Sequence, residues 1–348
     1  MFDITVVGTA TEDMFVNVPS AGLITVSDPD QDQTYLALDY GAKLPVSSIF
    51  VSVGGASTNT AAGLARLGMR TAAFAKLGQD DAGDRVVARL QGLGIDTSHF
   101  VRTTEFGTGY SVILTGYTGD RTILTYRGAS AEMTEADVPW EFLAQSPWMF
   151  LGSMSGPSAP LFVKLADFAG AHGVKLAINP GAMQVKLGCE GLKPALEHCA
   201  ALFLNKEEAC GLTGVCPRRD DRDEQEIVER LHETGCRHVF ITDGARGVYG
   251  SAGAELCHLP AYKAKVVSTV GAGDAFAAGA LTALARGADV PRALRVGSLN
   301  AAAVVQGFGA NETLLDWETA NRWADECEPG HPCPPLAGAA EKAPPRSD

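Results

Sequence analysis

An α/β fold built on a mostly parallel sheet is what this sequence predicts, on three observations. Short apolar runs such as "DITVVG", "WMFLG", "VKLAINP" and "ALFLN" alternate with stretches whose apolar residues recur at helical spacing. Several of these runs end at glycine or at polar residues, as strands do when their C-terminal ends face a ligand crevice. Between His99 and Tyr126 the rhythm breaks into β-rich sequence.

The elements follow in order. "DITVVG" is a buried strand ending at Gly8, and "TATED" supplies polar groups at its end. Residues 28–32 read as an exposed turn, and "TYLALDYG" and "SSIFVSV" as strands. Over residues 57–67, Ala61, Leu64, Ala65 and Leu67 define one apolar helical face, with Ser57 or Thr58 as the cap. "TAAFAKLG" is the next strand, and residues 82–93 place Val86, Val87, Leu90 and Leu93 on one side of a helix. "TGYSVILTG" and "RTILTYR" are strands joined by "YTGD", a hairpin turn. With the strands around Tyr35 and Ile49 they form either a small sheet projecting from the main domain or extra edge strands of the main sheet.

The β/α rhythm then returns. "WMFLG" leads into a helix near residues 159–171, and "VKLAINP" into another connection. "ALFLN" ends at "KEEA", and "EQEIVERLHETG" is a helix feeding the strand of "RHVFITDG". Helices are expected at about residues 273–285 and 291–305, and the Pro-rich end beyond Cys327 reads as a flexible tail.

At 348 residues and 46% hydrophobic content, the chain is long enough to bury a large core. Its 28 basic against 41 acidic residues, a net charge of -13, argue against a nucleic-acid or anionic-membrane partner. A local phosphate site made of backbone amides is still compatible with that charge. No run is apolar enough to span a bilayer, and the N-terminus lacks a secretory pattern, so a cytoplasmic protein is expected. The eight Cys are dispersed, without zinc-knuckle or redox-pair spacing, and read as reduced thiols.

The chemistry-bearing stretch is "VSTVGAGDAFAAG". Gly271, Ala272 and Gly273 permit a tight turn whose amides, at the start of the next helix, can receive phosphate oxygens. Asp274 stands where a carboxylate can accept the proton of an alcohol during phosphoryl transfer. Equally, the glycines can be fold-shaping and Asp274 a first-turn charge favoured by the helix dipole. The turn matches neither the phosphate loop ending in Lys-Ser/Thr nor the dinucleotide fingerprint.

Read together with "GGASTNTAAGLARLG", it resembles the paired signatures of the ribokinase-like, or PfkB-type, carbohydrate kinase family. The resemblance runs from Asp3 to about Asn311 through "GQDDAG", "NKEE", "TDGARG" and "NAAAV". It implies a ribokinase-like three-layer fold with a mostly parallel central sheet and a small β-sheet lid. The kinase domain would occupy residues 1–325, with lid segments near 14–52 and 99–127 and the tail over 326–348. The implied activity is ATP-dependent phosphorylation of a hydroxyl on a small sugar.

By the same resemblance, Asp274 is the catalytic base and Gly271, Ala272 and Gly273 stabilise the phosphates. Asp13, Asn59 and the backbone at Gly54 and Gly55 bind substrate hydroxyls; a carboxylate accepts from OH groups, and an amide both donates and accepts. Tyr110 is a candidate wall of the substrate site, or else packs the lid's own core. Asn205 and Glu208 match an Asn-x-x-Glu element that organises Mg²⁺ through water, Thr242, Gly244 and Gly247 meet the nucleotide phosphates, and Asn300 lies near the adenine. Ser268 is a departure: many relatives carry an Asp there that helps bind a monovalent cation, so K⁺ activation is expected to be weak or absent. A lid of this kind often serves as a dimer contact, which implies a homodimer.

Two rivals stand beside this reading. A nucleoside kinase would use the same residues and need an apolar slot, for which Phe15, Tyr35 and Tyr110 are candidates. A non-catalytic sugar or nucleotide sensor is disfavoured by the retained Asp274 and glycine turn. A dehydrogenase is disfavoured further, because "VVGTATED" lacks the glycine spacing expected after the first strand.

Overall fold

The computed structural model describes residues 2–27, 32–115, 121–215, 223–253 and 255–334, and the counts below are of those residues. The chain enters through β1 (Ile4–Val7) and continues past a break at Gly8 as β2 (Thr11–Asn17). A hairpin of β3 (Gly22–Ser27) and β4 (Asp32–Ala37) follows, then β5 (Ser48–Gly54), α1 (Ala56–Arg66), β6 (Thr71–Phe74), β7 (Lys76–Gly78) and α2 (Asp81–Gly92). Next come β8 (Val101–Thr103), β9 (Gly109–Thr115), β10 (Arg121–Tyr126), α3 (Trp140–Leu143), β11 (Trp148–Leu151), α4 (Leu161–Ala171) and β12 (Lys175–Ile178). The second half contains α5 (Ala182–Val185), α6 (Gly188–Glu197), β13 (Cys199–Asn205), α7 (Lys206–Thr213), α8 (Asp223–Glu233), β14 (Val239–Thr242), β15 (Val248–Ser251) and β16 (Leu256–Leu259). It closes with α9 (Ala272–Ala285), α10 (Val290–Val304) and α11 (Trp317–Glu326).

Eight strands form the central sheet in the order β16-β15-β14-β13-β12-β11-β1-β6. The six from β14 to β6 are parallel, and β15 and β16 complete one edge through antiparallel pairs. β1, β6 and β11 are buried at every position, which is why they read as unbroken apolar or small-residue runs. Successive side chains point to opposite faces and feed two cores. Ile4, Val6 and Phe150 pack with Leu64, Val86, Phe276 and Leu299 from α1, α2, α9 and α10. Val7, Met149 and Leu151 pack with Phe162, Leu196, Leu212 and Ile227 from α4, α6, α7 and α8. Helices therefore cover both faces, and the parallel strands aim their C-terminal ends at one crevice. No described helix is long and apolar enough to cross a membrane.

A separate four-stranded sheet, β10-β9-β2-β5, stands beyond that crevice. This decides between the alternatives for the β-rich interruption: it is a second sheet and not an extension of the first. Two details differ from the sequence expectation. The polar "TATED" does not end the first strand's path, because β2 carries the chain directly from the core into the second sheet, paired with β5 and β9. The strand around Tyr35 pairs only with β3, in a hairpin of its own. The turns expected at 28–32 and 117–120 fall outside the described residues, except Asp32, the first residue of β4.

Caps explain two further differences. Helix α1 is capped by the backbone at Gly55, while Ser57 donates to the Val7 carbonyl at 3.2 Å and Thr58 to the Gly55 carbonyl at 2.9 Å. Neither hydroxyl is therefore the N-cap. Of the stretch expected as tail, the part up to Pro334 is described and folds back: the Cys333 amide donates to the Lys263 carbonyl at 2.8 Å, and Cys333 is buried. Residues 335–348 lie outside the described residues.

Candidate active site

The glycine turn lies at the amino end of α9. Gly271 has a left-handed φ of 80°, and a Cβ there would stand 2.3 Å from the Ala310 Cβ, so only glycine fits. Ala275 closes the first helical turn by donating to the Gly271 carbonyl at 2.8 Å. The amides of Gly273 and Asp274 find no acceptor among the described residues, as the geometry of a helix start dictates. Nothing lies within 4 Å of where a Gly273 Cβ would be, which leaves the helix terminus open. This is the arrangement in which backbone dipoles receive an anion.

Asp274 sits half-buried at that terminus. Burial pushes its pKa up to about 7; the Asn59 hydrogen bond opposes the shift, and the nearby charges of Glu208 and Asp13 reinforce it. Asn59 Nδ2 donates to Asp274 Oδ2 at 2.9 Å. The Asn59 carbonyl oxygen accepts from Asn311 Nδ2 at 3.5 Å, and Asn311 also donates to the Val53 carbonyl at 3.1 Å. That chain fixes which end of the Asn59 amide faces the carboxylate. Asn59, expected to bind substrate, is thus committed to Asp274, and Asn311, absent from the sequence expectation, holds it there.

Asp274 lines a cavity of about 260 Å³ with Asn179, Asn205, Glu208, Thr242, Gly271 and Gly273. These residues come from the C-terminal ends of β12, β13 and β14, from the first turn of α7 and from the glycine turn. Asn205 caps α7: its Oδ1 accepts from the Glu208 amide at 2.8 Å, and Glu208 Oε2 accepts from the Asn205 amide at 2.9 Å. The second Glu208 oxygen has no hydrogen bond among the described residues, and burial raises its pKa. No cluster of three or more acidic, His or Cys side chains suited to a metal occurs among the described residues. The donor set fits the phosphate end of a nucleotide with a hydrated hard cation, which needs few protein ligands. Gly244 and Gly247 lie in the turn after β14, outside this cavity; Gly247 is buried, with the Leu259 carbonyl occupying the space of a Cβ.

Asn300 departs from expectation. It is fully buried, donates to the Ala275 carbonyl at 2.8 Å and accepts from the Leu315 amide at 3.1 Å. Both ends of its amide are used to tie α10 to α9, leaving none for a base. Ser268 Oγ accepts from the Val270 amide at 3.3 Å and presents a neutral hydroxyl at the entrance of the turn.

A second cavity, about 160 Å³, is lined by Thr9, Thr11, Asp13, Gly55, Ser111, Thr125, Arg127, Ser130, Ser153 and Ser155. Ser153 lines both cavities, and Gly55 precedes Ala56 of the first, so the two adjoin. Asp13 is buried and accepts from Thr11 Oγ1 at 3.1 Å. Burial raises its pKa, against hydrogen bonds from Ser111 and Thr11. Gly54 makes room for it: a Cβ there would lie 1.9 Å from Asp13 Oδ2.

Strand alternation corrects the expectation for Tyr110. Asp13 registers with Ser111, and Ser111 with Thr125, so these three share one face. Tyr110 registers with Glu12 and faces the other way, where Arg85 holds Glu12 through bonds of 2.6 and 2.9 Å. The wall residue is therefore Ser111. Among the described residues no aromatic side chain lines this cavity, and Phe15 and Tyr35 are absent from it as well.

A mostly parallel α/β core with a second sheet over its crevice, a helix terminus suited to phosphate and a half-buried carboxylate at it define the class, a kinase of the ribokinase fold. The comparisons agree. The profile described as pfkB family carbohydrate kinase matches residues 17–317, and the chain belongs to that family. A ribokinase of Bacillus subtilis is 30% identical over 262 residues, covering 74% of this chain and 82% of that one. A 5-dehydro-2-deoxygluconokinase of Lacticaseibacillus casei is 26% identical over 307 residues, 84% of this chain and 92% of that one. Among solved structures, Arabidopsis thaliana ribokinase complexed with ribose and ATP superposes with a TM-score of 0.77 at 22% identity, covering 93% and 98% of the two chains, a likeness of fold.

Proposed function

We propose that this site transfers the γ-phosphoryl group of ATP to a hydroxyl of a small sugar held in the Asp13 cavity, in the cytoplasm, with Asp274 taking the proton. The observation that carries the reading is Asp274 itself: a carboxylate with a pKa near 7, at a helix terminus, beside the wall shared by the two cavities. ATP would supply the phosphoryl group and Mg²⁺ would offset its charge, arranged through Glu208, Asn205 and water. Asp13 would accept from acceptor hydroxyls, and the amides of Gly273 and Asp274 would stabilise charge on the transferring group. Asn59 leaves Asp274 Oδ1 for the acceptor proton, since it occupies Oδ2. As the acceptor oxygen bonds to phosphorus, its proton passes to Asp274 and the bond to the ADP oxygen breaks.

A nucleoside acceptor finds no aromatic slot among the described residues of this cavity, which favours the sugar. Activation by K⁺ is weak or absent in this reading, because Ser268 lacks the charge of a carboxylate. The second sheet supports a homodimer: the face turned away from Asp13 exposes Ile49, Val51, Leu124 and Tyr126, and the adjoining hairpin exposes Leu23, Ile24 and Val26. The test of the central claim is phosphate transfer from ATP by the purified chain and by Asp274→Asn. The variant is expected to fold normally and turn over at least roughly 10²-fold more slowly. Turnover like that of the parent would remove Asp274 from the role of base.

A further inference from the structure

We infer that the acceptor carries a carboxylate and that Arg127 is the residue that selects it. The inference rests on the kinase reading and names the substrate class of the same site. Arg127 follows β10 and, among the described residues, is the one cationic side chain that lines the Asp13 cavity. Its one hydrogen-bond partner among the described residues is a neutral hydroxyl, Ser155 Oγ, at 3.2 Å. Among the described residues, no carboxylate lies within ion-pair distance of it. That is conspicuous in a chain with 41 acidic and 28 basic residues. The nearby acids are engaged elsewhere, Glu12 by Arg85 and Asp13 by Thr11 and Ser111. A guanidinium left without a counter-ion beside a polar cavity is a receptor for a planar anion, which it grips through two parallel N–H donors.

The position of Arg127 is set by the backbone. Ala129 donates to the Gly107 carbonyl at 2.8 Å, and Gly128 has a left-handed φ of 54° with that carbonyl where its Cβ would be. The guanidinium therefore springs from a fixed base. It also lies away from the chemistry, since Arg127, Thr125 and Ser155 line the second cavity only, whereas Ser153 faces both. An acceptor spanning the cavity would put its reacting hydroxyl near Ser153 and Asp274, its middle hydroxyls on Asp13, and its anionic end on Arg127. A carboxylate fits better than a phosphate. One cation balances a monoanion, and about 160 Å³ is below the roughly 300 Å³ at which small-molecule pockets usually begin, leaving little room beyond a sugar skeleton.

The experiment compares kcat/KM of the full chain, with ATP and Mg²⁺, for hexonates and keto-deoxyhexonates against the hexoses and hexitols that carry CH₂OH or CHO in place of the carboxylate. Sugar phosphates form a third arm. We expect the acids to be preferred by about 10- to 100-fold, the scale of a charge-assisted hydrogen-bond pair. Arg127→Gln should collapse the acid-to-neutral ratio toward one, mainly through KM of the acids, and Arg127→Lys should restore part of it. Neutral sugars used as well as acids, sugar phosphates used better, or a ratio untouched by Arg127→Gln would each overturn the assignment. If no acceptor takes phosphate, the kinase reading fails separately. Calorimetric binding of the same hexonate and hexose pairs without ATP then decides the carboxylate question: tighter binding of the acid upholds it, and equal binding overturns it.

Discussion

The two carboxylates of the site stand in frameworks of opposite kinds. Asp274 begins a helix buried from Ala275 to Ala283 and is gripped by Asn59, itself held by the buried Asn311. Asp13 belongs to a sheet whose strand β10 is exposed along its whole length, and its partners are hydroxyls on neighbouring positions. The proposed proton acceptor is thus placed by the core, where geometry is over-determined. The proposed recognition groups project from a thin sheet, where a substitution changes the lining without disturbing the core. In the proposed reading, catalysis and selectivity are therefore expected to be separable by mutation.

The largest effect that tests this division should come from the core side. Gly271→Ala forces an L-residue into the left-handed region and drives its Cβ into Ala310, so a loss of about 2 kcal/mol in urea unfolding is expected, with turnover falling as well. A variant as stable as the parent would show that the turn yields and that the core does not fix Asp274. A smaller change is expected from Asn59→Ala. The Asn59 hydrogen bond holds the Asp274 pKa down, so its removal raises that pKa further and moves the acid limb of kcat/KM from near pH 7 to higher pH. At pH 7 the loss should be about 10-fold, shrinking at pH 9. A limb that stays in place would belong to another group. The smallest effect on turnover should come from the outer face of the second sheet. Leu124→Lys is expected to change kcat by less than about twofold while sedimentation shifts from dimer to monomer. A monomeric parent would sink the dimer and leave the exposed apolar face without that partner.

The same contrast marks what the sequence made legible. Buried strands and their helices write themselves in apolar periodicity, so β1, β11 and α9 are close to where the pattern puts them. Asp274, Asp13, Asn205 and Thr242 meet around two adjoining cavities because each stands at a strand end or helix start, positions that carry a local signal. β2 was hidden because polar residues at a strand start resemble a loop. Whether Tyr110 walls the site or packs within the lid is decided by strand register, and register is not local. Asn59 and Asn300 show a different limit: an amide can bind a ligand or another element, and which it does depends on residues far along the chain, here Asp274, Ala275 and Leu315. Arg127 carried no local signal at all, since an unpaired guanidinium is visible only once the carboxylates around it are seen to be taken.

The raised proton affinity of Asp274 has a counterpart in folding. The unfolded chain releases that proton near the ordinary value of 3.8, and the folded chain holds it to about 7. Stability contributed by the neutral group is fully present below pH 3.8 and disappears as pH climbs through 7. Over that same interval the carboxylate becomes able to accept a proton. The ionisation that arms the site is thus the one the fold resists, and an acceptor hydroxyl donating to Asp274 would relieve both at once. For this enzyme, substrate should act as a stabiliser that grows more effective as the solution becomes more alkaline.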